Sequence, residues 1–191
     1  MGRTSQAREK ILQAARLLFW ERGYEGVSME DLCSAAGVNK GTLYHFYSNK
    51  EEIALSAVHS NAELTLGVIQ DERLKKMSGL NAILYYFDFT VAMSRERFEE
   101  SGLVPGCPFG TLGAELGGRN DAICSGVNEW FEKMTEQISE YLKKDGIRSP
   151  KKKAEEILML WQGAMLMAKT ANRIEFLHEA REYTVQLIKK K

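Results

Sequence analysis

A chain of 191 residues with 44% hydrophobic and 27% charged residues has the composition of a soluble globular protein, long enough for one ordinary domain or a small domain joined to a larger one. It holds no run near the roughly 18 apolar residues that a membrane helix needs, and MGRTSQAREK lacks the apolar core of a secretory signal, so a cytoplasmic protein without a membrane partner is expected. The formal net charge of zero excludes nucleic-acid binding by bulk electrostatics alone, and residues 1–50 hold only a small basic surplus, so an anionic partner must be met by individual side chains.

Residues 5–22 form the first predicted helix, because Ile11, Ala14, Ala15, Leu18 and Phe19 recur at the spacing of one buried stripe, and Gly23 ends it. Arg3 then lies in an N-terminal arm, able to touch a phosphate or a minor groove, or simply to stay solvated. Tyr24 and Val27 flank Gly26, which points to a connector that tucks an aromatic ring into a small core.

Ser28 caps a second helix: its hydroxyl can accept a backbone N–H orphaned at the helix start, and Asp31 three positions on adds capping-box character. Met29, Leu32, Cys33 and Ala36 make the apolar face, on which Cys33 is structural. Gly37 supplies the left-handed conformation of a sharp reversal, Val38 returns to the core, and Asn39 caps a third helix from Lys40 to Phe46 or Tyr47. Leu43 and Phe46 are spaced for the core, while Lys40, Thr42, Tyr44 and His45 project elsewhere. Helix, glycine turn and polar second helix is helix-turn-helix logic, against the plainer alternative of a helix pair in any helical domain.

Gly41 costs that third helix about 1 kcal/mol relative to alanine, so close approach of its backbone to another surface is expected to compensate. A DNA major groove is such a surface: Thr42 and His45 can reach base edges, Tyr44 can donate to a phosphate, and Lys40 and Lys50 can neutralise phosphates. Ser48 and Glu51 form a second capping box, opening a long helix through Ile53, Ala57, Val58, Leu64 and Leu66 that ends before residue 75 and acts as a lever between two domains.

The stretch from Ile11 to Ile53, with ILQAARLLFWERGYEGVSMEDL and AAGVNKGTLYHFYSNKEEI as its matching pieces, resembles the DNA-binding domain of the tetracycline-repressor (TetR/AcrR) family of transcriptional regulators. The resemblance implies an all-α fold of about nine helices. An N-terminal three-helix helix-turn-helix domain, residues 1–50, would bind DNA, and a C-terminal helical domain, residues 51–191, would bind an effector and dimerise. It also implies a repressor that meets a palindromic operator as a homodimer through Arg3, Ser28, Lys40, Gly41, Thr42, Tyr44, His45 and Lys50, and leaves it when a small-molecule effector binds. No cofactor and no metal are implied.

Beyond the lever, Tyr85, Tyr86, Phe87, Phe89 and Met93 exceed what one buried stripe requires. Pro108 suits the first position of a helix continuing as TLGAEL, which puts Cys107 at its N-cap, where a helix dipole lowers a thiol pKa. Gly106, Cys107, Leu112, Glu115 and Leu116 also resemble a pattern in a subset of these regulators, some of which respond to oxidants or electrophiles. A thiol sensor at Cys107, with Cys124 as resolving partner, is therefore an alternative to a buried cysteine that only packs.

Gly117 and Gly118 break that helix, and Asn120 or Asp121 starts another with Ile123, Val127, Trp130, Phe131, Met134 and Ile138 in one stripe. Ser149-Pro150 caps a helix that is nearly apolar from Ile157 to Ala168, and a last helix runs from Glu175 to Lys189. Two helices more apolar than one subunit needs imply a homodimer through an intermolecular four-helix bundle. The effector cavity would be lined from among Tyr86, Phe89, Met93, Cys107, Phe109, Trp130, Met134, Trp161 and Met165, each of which also suits plain core. The remote alternative is a Cys-dependent hydrolase pairing Cys107 with His59 or His178. Neither histidine has the context of a base, and no metal-ligand spacing, phosphate-binding glycine loop or carboxylate pair stands out, so an enzyme is not expected.

Overall fold

The computed structural model describes residues 3–189, and over that range the chain is all-helical, as expected. The helices are α1 (Arg3–Arg22), α2 (Met29–Ala36), α3 (Lys40–Phe46), α4 (Lys50–Ile69), α5 (Gly79–Ser101), α6 (Pro108–Leu116), α7 (Asp121–Lys144), α8 (Pro150–Ala171) and α9 (Glu175–Lys189), with one 3-10 turn at Leu74–Lys76. Because α1 begins at Arg3, that residue opens a helix rather than trailing in an arm; its side chain lies outside the described residues.

The helices pack as two compact units. One is the chain up to Glu63 together with Pro108–Asn128; the other is Leu64–Cys107 with the chain from Glu129 onward. Packing thus groups α6 and the start of α7 with the N-terminal helices, a grouping that local sequence does not announce.

In the first unit α1 packs on α2, α3 and α6, burying Ile11, Ala15 and Phe19 in a core shared with Leu32 and Leu43. The Phe19 and Tyr24 rings stack 6.0 Å apart. Phe46, assigned to the core by periodicity, is only half-buried, and Tyr47 takes the interior place at 2% exposure. The reason is local: Tyr47 is the C-cap, with an extended backbone (φ −140°, ψ 125°), so helical spacing no longer sets its direction. The cap of α4 is also displaced by one residue. The Asn49 Oδ1 accepts the Glu52 N–H at 2.8 Å and Glu52 accepts the Ser48 N–H at 2.7 Å, leaving Glu51 beside the Tyr24 phenol. From α6, the Glu115 carboxylate accepts the Glu25 N–H at 2.9 Å, holding the turn after α1.

The second unit centres on Phe87 of α5 and Trp161 of α8, whose rings stack 3.9 Å apart and 6° from parallel. Each buried aromatic contributes roughly 2–3 kcal/mol by burial, and such a pair about 1 kcal/mol more. Asp145 accepts the Gly79 and Leu80 N–H groups at 2.7 and 2.8 Å, satisfying the start of α5. Position 79 must be glycine, because a Cβ there would fall 1.9 Å from the Tyr141 carbonyl oxygen. Asn172, left-handed at φ 52°, closes α8, accepting the Val104 N–H and donating to the Gly102 carbonyl. Arg181 of α9 holds Asp88 of α5 through two bonds, at 2.6 and 3.0 Å. The expected Ser149 cap is not made: its backbone is left-handed (φ 49°) where a capping residue is extended, so its side chain bonds no helix N–H and only its carbonyl accepts, from Lys153.

Candidate nucleic-acid interface

The pair α2–α3 is built by short-range hydrogen bonds. Ser28 is extended (φ −96°, ψ 166°), its Oγ accepts the Asp31 N–H at 3.1 Å, and Asp31 Oδ2 accepts the Ser28 N–H at 2.8 Å and its hydroxyl at 2.6 Å. Those bonds from Ser28 hold the Asp31 carboxyl below its ordinary range. Gly37, at φ 64° and ψ 37°, returns its N–H to the Ser34 carbonyl while Val38 returns its own to Cys33, which reverses the chain within three residues. Asn39 Oδ1 then accepts the Thr42 N–H at 2.8 Å and starts α3.

Only Leu43 of α3 is fully buried; Tyr44 is 53% exposed, Gly41 and His45 are exposed and Thr42 is half-buried. A Cβ on Gly41 would meet, among the described residues, nothing nearer than Asn39 Oδ1 at 3.3 Å, so the close approach expected there is not to another part of the chain. The residues before α3 and the first turns of α1 border an open concavity of about 880 Å³, whose lining includes Gln6, Lys10, Asn39, Gly41, Thr42 and His45.

Both lysines singled out from the sequence are occupied. Lys40 pairs with Glu30, which lowers the glutamate pKa and raises that of the lysine. Lys50 donates to the Tyr24 and Val27 carbonyls, each at 3.0 Å, and its Nζ stands 3.9 Å from the Tyr24 ring centroid. Burial first, then the Glu51 carboxylate, push the Tyr24 phenol well above its ordinary range. Lys50 is thus a clamp on the turn between α1 and α2, a role that no local signal in the sequence could reveal.

The aromatic and sulfur residues proposed for an effector divide. Tyr86, Cys107, Trp130, Met134, Trp161 and Met165 are all buried in the second unit, while Phe89 and Met93 are half-buried there. Phe109, 1% exposed, belongs with α6 to the first unit. The Trp130 indole donates to Thr65 Oγ1 at 2.8 Å, and Thr65 also bonds the Tyr86 phenol. Burial and the neighbouring Cys107 raise the Tyr86 pKa, the Thr65 bond opposing them. Trp161 Nε1 and Ser94 Oγ are buried without a hydrogen-bond partner among the described residues, and Ser94 was not foreseen. Cys107 lies immediately before α6, and all three cysteines are free thiols. Cys124 Sγ donates to the Leu116 carbonyl and His178 contacts Arg95, so each already has a partner other than Cys107.

Two family models match. One, "Bacterial regulatory proteins, tetR family", covers residues 11–57; the other, "Transcriptional regulator LmrA/YxaF-like, C-terminal domain", covers residues 86–183. The chain is 29% identical over 181 residues to the transcriptional regulator AcuR of Cereibacter sphaeroides, an alignment spanning 91% of this chain and 81% of AcuR. A TetR transcriptional regulator from Legionella pneumophila has a similar fold, with a TM-score of 0.84 at 21% identity over 95% of this chain and 97% of that one. Reduced Escherichia coli NemR gives 0.77 at 23% identity, again over 95% and 97%. With the capped helix-turn-helix of α2 and α3 inside the first match and most of α5 through α9 inside the second, the chain belongs to the TetR family of transcriptional regulators, DNA-binding proteins rather than enzymes.

Proposed function

We propose that the protein is a homodimeric repressor that sets α3 of each protomer into successive major grooves of a palindromic operator and leaves the DNA when a small-molecule effector binds. The observation that carries this is the outward face of α3: Gly41, Tyr44 and His45 are exposed with Thr42 half-buried beside them, and among the described residues nothing lies nearer than 3.3 Å to where a Gly41 Cβ would stand. Thr42 and His45 read base edges, Tyr44 meets a phosphate, Lys40 reaches a second on leaving Glu30, and Ser28 offers the start of α2. Arg3 keeps its place among the candidate phosphate contacts. Lys50 acts by fixing the turn beneath them. Residues 1–50 form the reading head and 51–191 the effector and dimer portion, with the protein acting in the cytoplasm.

Dimerisation through α8 and α9 is supported by an exposed apolar stripe: Met159 at 66%, Leu166 at 67% and Met167 at 52% on α8, with Tyr183 at 53% on α9. Gly163 lies within that stripe with open space where its Cβ would stand, so another helix can approach closely there. An effector in the second unit is supported by the buried Trp161 N–H, which has no acceptor among the described residues, a shortfall that costs about 1–3 kcal/mol until a ligand or water supplies one. DNA and effector affinities are then reciprocally coupled, typically by 1–3 kcal/mol.

Binding of the purified protein to duplexes flanking its own coding sequence tests this: sequence-selective binding with two protomers per site is expected, and binding indifferent to sequence sinks the reading. A second reading, with Cys107 as an oxidant or electrophile sensor, is favoured by its position at the start of α6 beside the Tyr86 phenol. Oxidant-driven release of DNA that persists in Cys107→Ser would eliminate it.

A further inference from the structure

We infer that Lys10, with Gln6 one turn before it on α1, grips a DNA phosphate and seats α3 in its groove; this rests on the DNA-binding reading above. Gln6 and Lys10 stand four residues apart on one exposed face of α1, and both border the concavity that Gly41, Thr42 and His45 of α3 also border. A helix about 10–12 Å across fills a major groove about 12 Å wide, so the strand backbones pass directly beside it, and whatever flanks the helix meets phosphates.

The charges near α3 favour Lys10 for that contact. Lys40 is paired with Glu30 and Arg22 with Asp31; Lys50 spends its ammonium on two carbonyls, and Arg16 donates to Asn61. Arg8 borders a different concavity, with Glu9 and His59. Among the described residues Lys10 forms no salt bridge, so it can meet a phosphate without first breaking one. Gln6 supplies an amide donor beside it, a neutral contact that orients the backbone without adding to the salt dependence.

The test uses a duplex that the wild-type protein selects from random-sequence DNA, with affinity measured by fluorescence anisotropy between 50 and 200 mM salt. Each phosphate contact contributes a slope of about −0.9 in log K against log salt, so Lys10→Gln in both protomers should flatten the slope by about 1.8. Over that fourfold salt range the variant should lose about 12-fold less affinity than the wild type. Preference for the selected duplex over a scrambled one should be unchanged, and Lys10→Arg should restore the slope. A Lys10→Gln protein with the wild-type slope and melting temperature overturns the inference while leaving the DNA-binding reading intact. If the wild type selects no duplex, the DNA-binding reading fails and the inference falls with it.

Discussion

Replacing Lys50 by methionine keeps the side-chain volume and removes the charge that bridges the Tyr24 and Val27 carbonyls. A hydrogen bond to a charged group contributes about 1.5–3 kcal/mol, and water at this half-buried site recovers part of it, so each lost bond should cost about 1 kcal/mol. The contact with the Tyr24 ring adds about 0.5–1 kcal/mol. A loss of about 2.5–3 kcal/mol follows, which for a chain of this size lowers the melting temperature by about 5–12 °C. Lys40→Met should leave it unchanged, because the pair with Glu30 lies exposed on the surface.

Thermal melting followed by circular dichroism, paired with DNA affinity across salt concentrations, separates the two roles of Lys50. As a clamp it orients the turn that presents Ser28, so Lys50→Met should weaken DNA binding with little change of salt slope. A wild-type melting temperature together with a slope flattened by about 1.8 would identify Lys50 as a phosphate ligand and refute the clamp.

Ser28→Ala removes the α2 cap and should cost about 1 kcal/mol in chemical denaturation at pH 7. The Asp31 pKa is lower in the fold than its ordinary 3.8, so the box contributes fully above that value and loses its contribution as pH falls through the folded value; Ser28→Ala should flatten this acid-range dependence. Gly79→Ala should cost about 3 kcal/mol, seen as a lower denaturation midpoint, because its new methyl meets a backbone carbonyl that cannot move aside cheaply. Phe87→Ala should cost about 3–5 kcal/mol by the same measurement, and an unchanged midpoint would mean that the stack on Trp161 is not central to the second unit.

The elements legible in the sequence were those set by neighbours. The Ser28–Asp31 box, the left-handed Gly37 and the Asn39 cap each close within a few residues, so the helix-turn-helix could be read to its boundaries. Competition between equally suitable residues was not legible: Ser48 and Asn49 can both cap, as Glu51 and Glu52 can both reciprocate, and only the actual start of α4 decides. Nor were contacts across long stretches of chain. Lys50 reaches a turn 23–26 residues earlier and Glu115 a backbone N–H 90 residues earlier, so a basic residue beside a presumed DNA face looked like a phosphate ligand. Helical spacing picked Phe46 for the core, but Tyr47, extended just past the last helical residue, takes the interior place, a direction that no helical period gives.

The use of charge inside the fold bears on why the proposed regulator would need two subunits. A net charge of zero gives no general attraction to DNA, and two of the basic groups nearest α3 are held by Glu30 and by backbone carbonyls. In the proposed docking one head would offer few phosphate contacts, and a seven-residue α3 would read only a few base edges, so a single head would bind weakly. In the proposed dimer, two heads joined through the exposed stripe on α8 and α9 would multiply those small terms, because the second would bind at the effective concentration set by the first. In the proposed regulator the same weakness would make release easy: a coupling of about 1–3 kcal/mol would change operator affinity about 5- to 150-fold, enough to empty a site held by modest contacts. Strengthening the head, for instance by Glu30→Gln to free Lys40, should therefore tighten operator binding and leave more of the operator occupied at a given effector concentration. Unchanged affinity in that variant would show that the Lys40 pair does not compete with DNA.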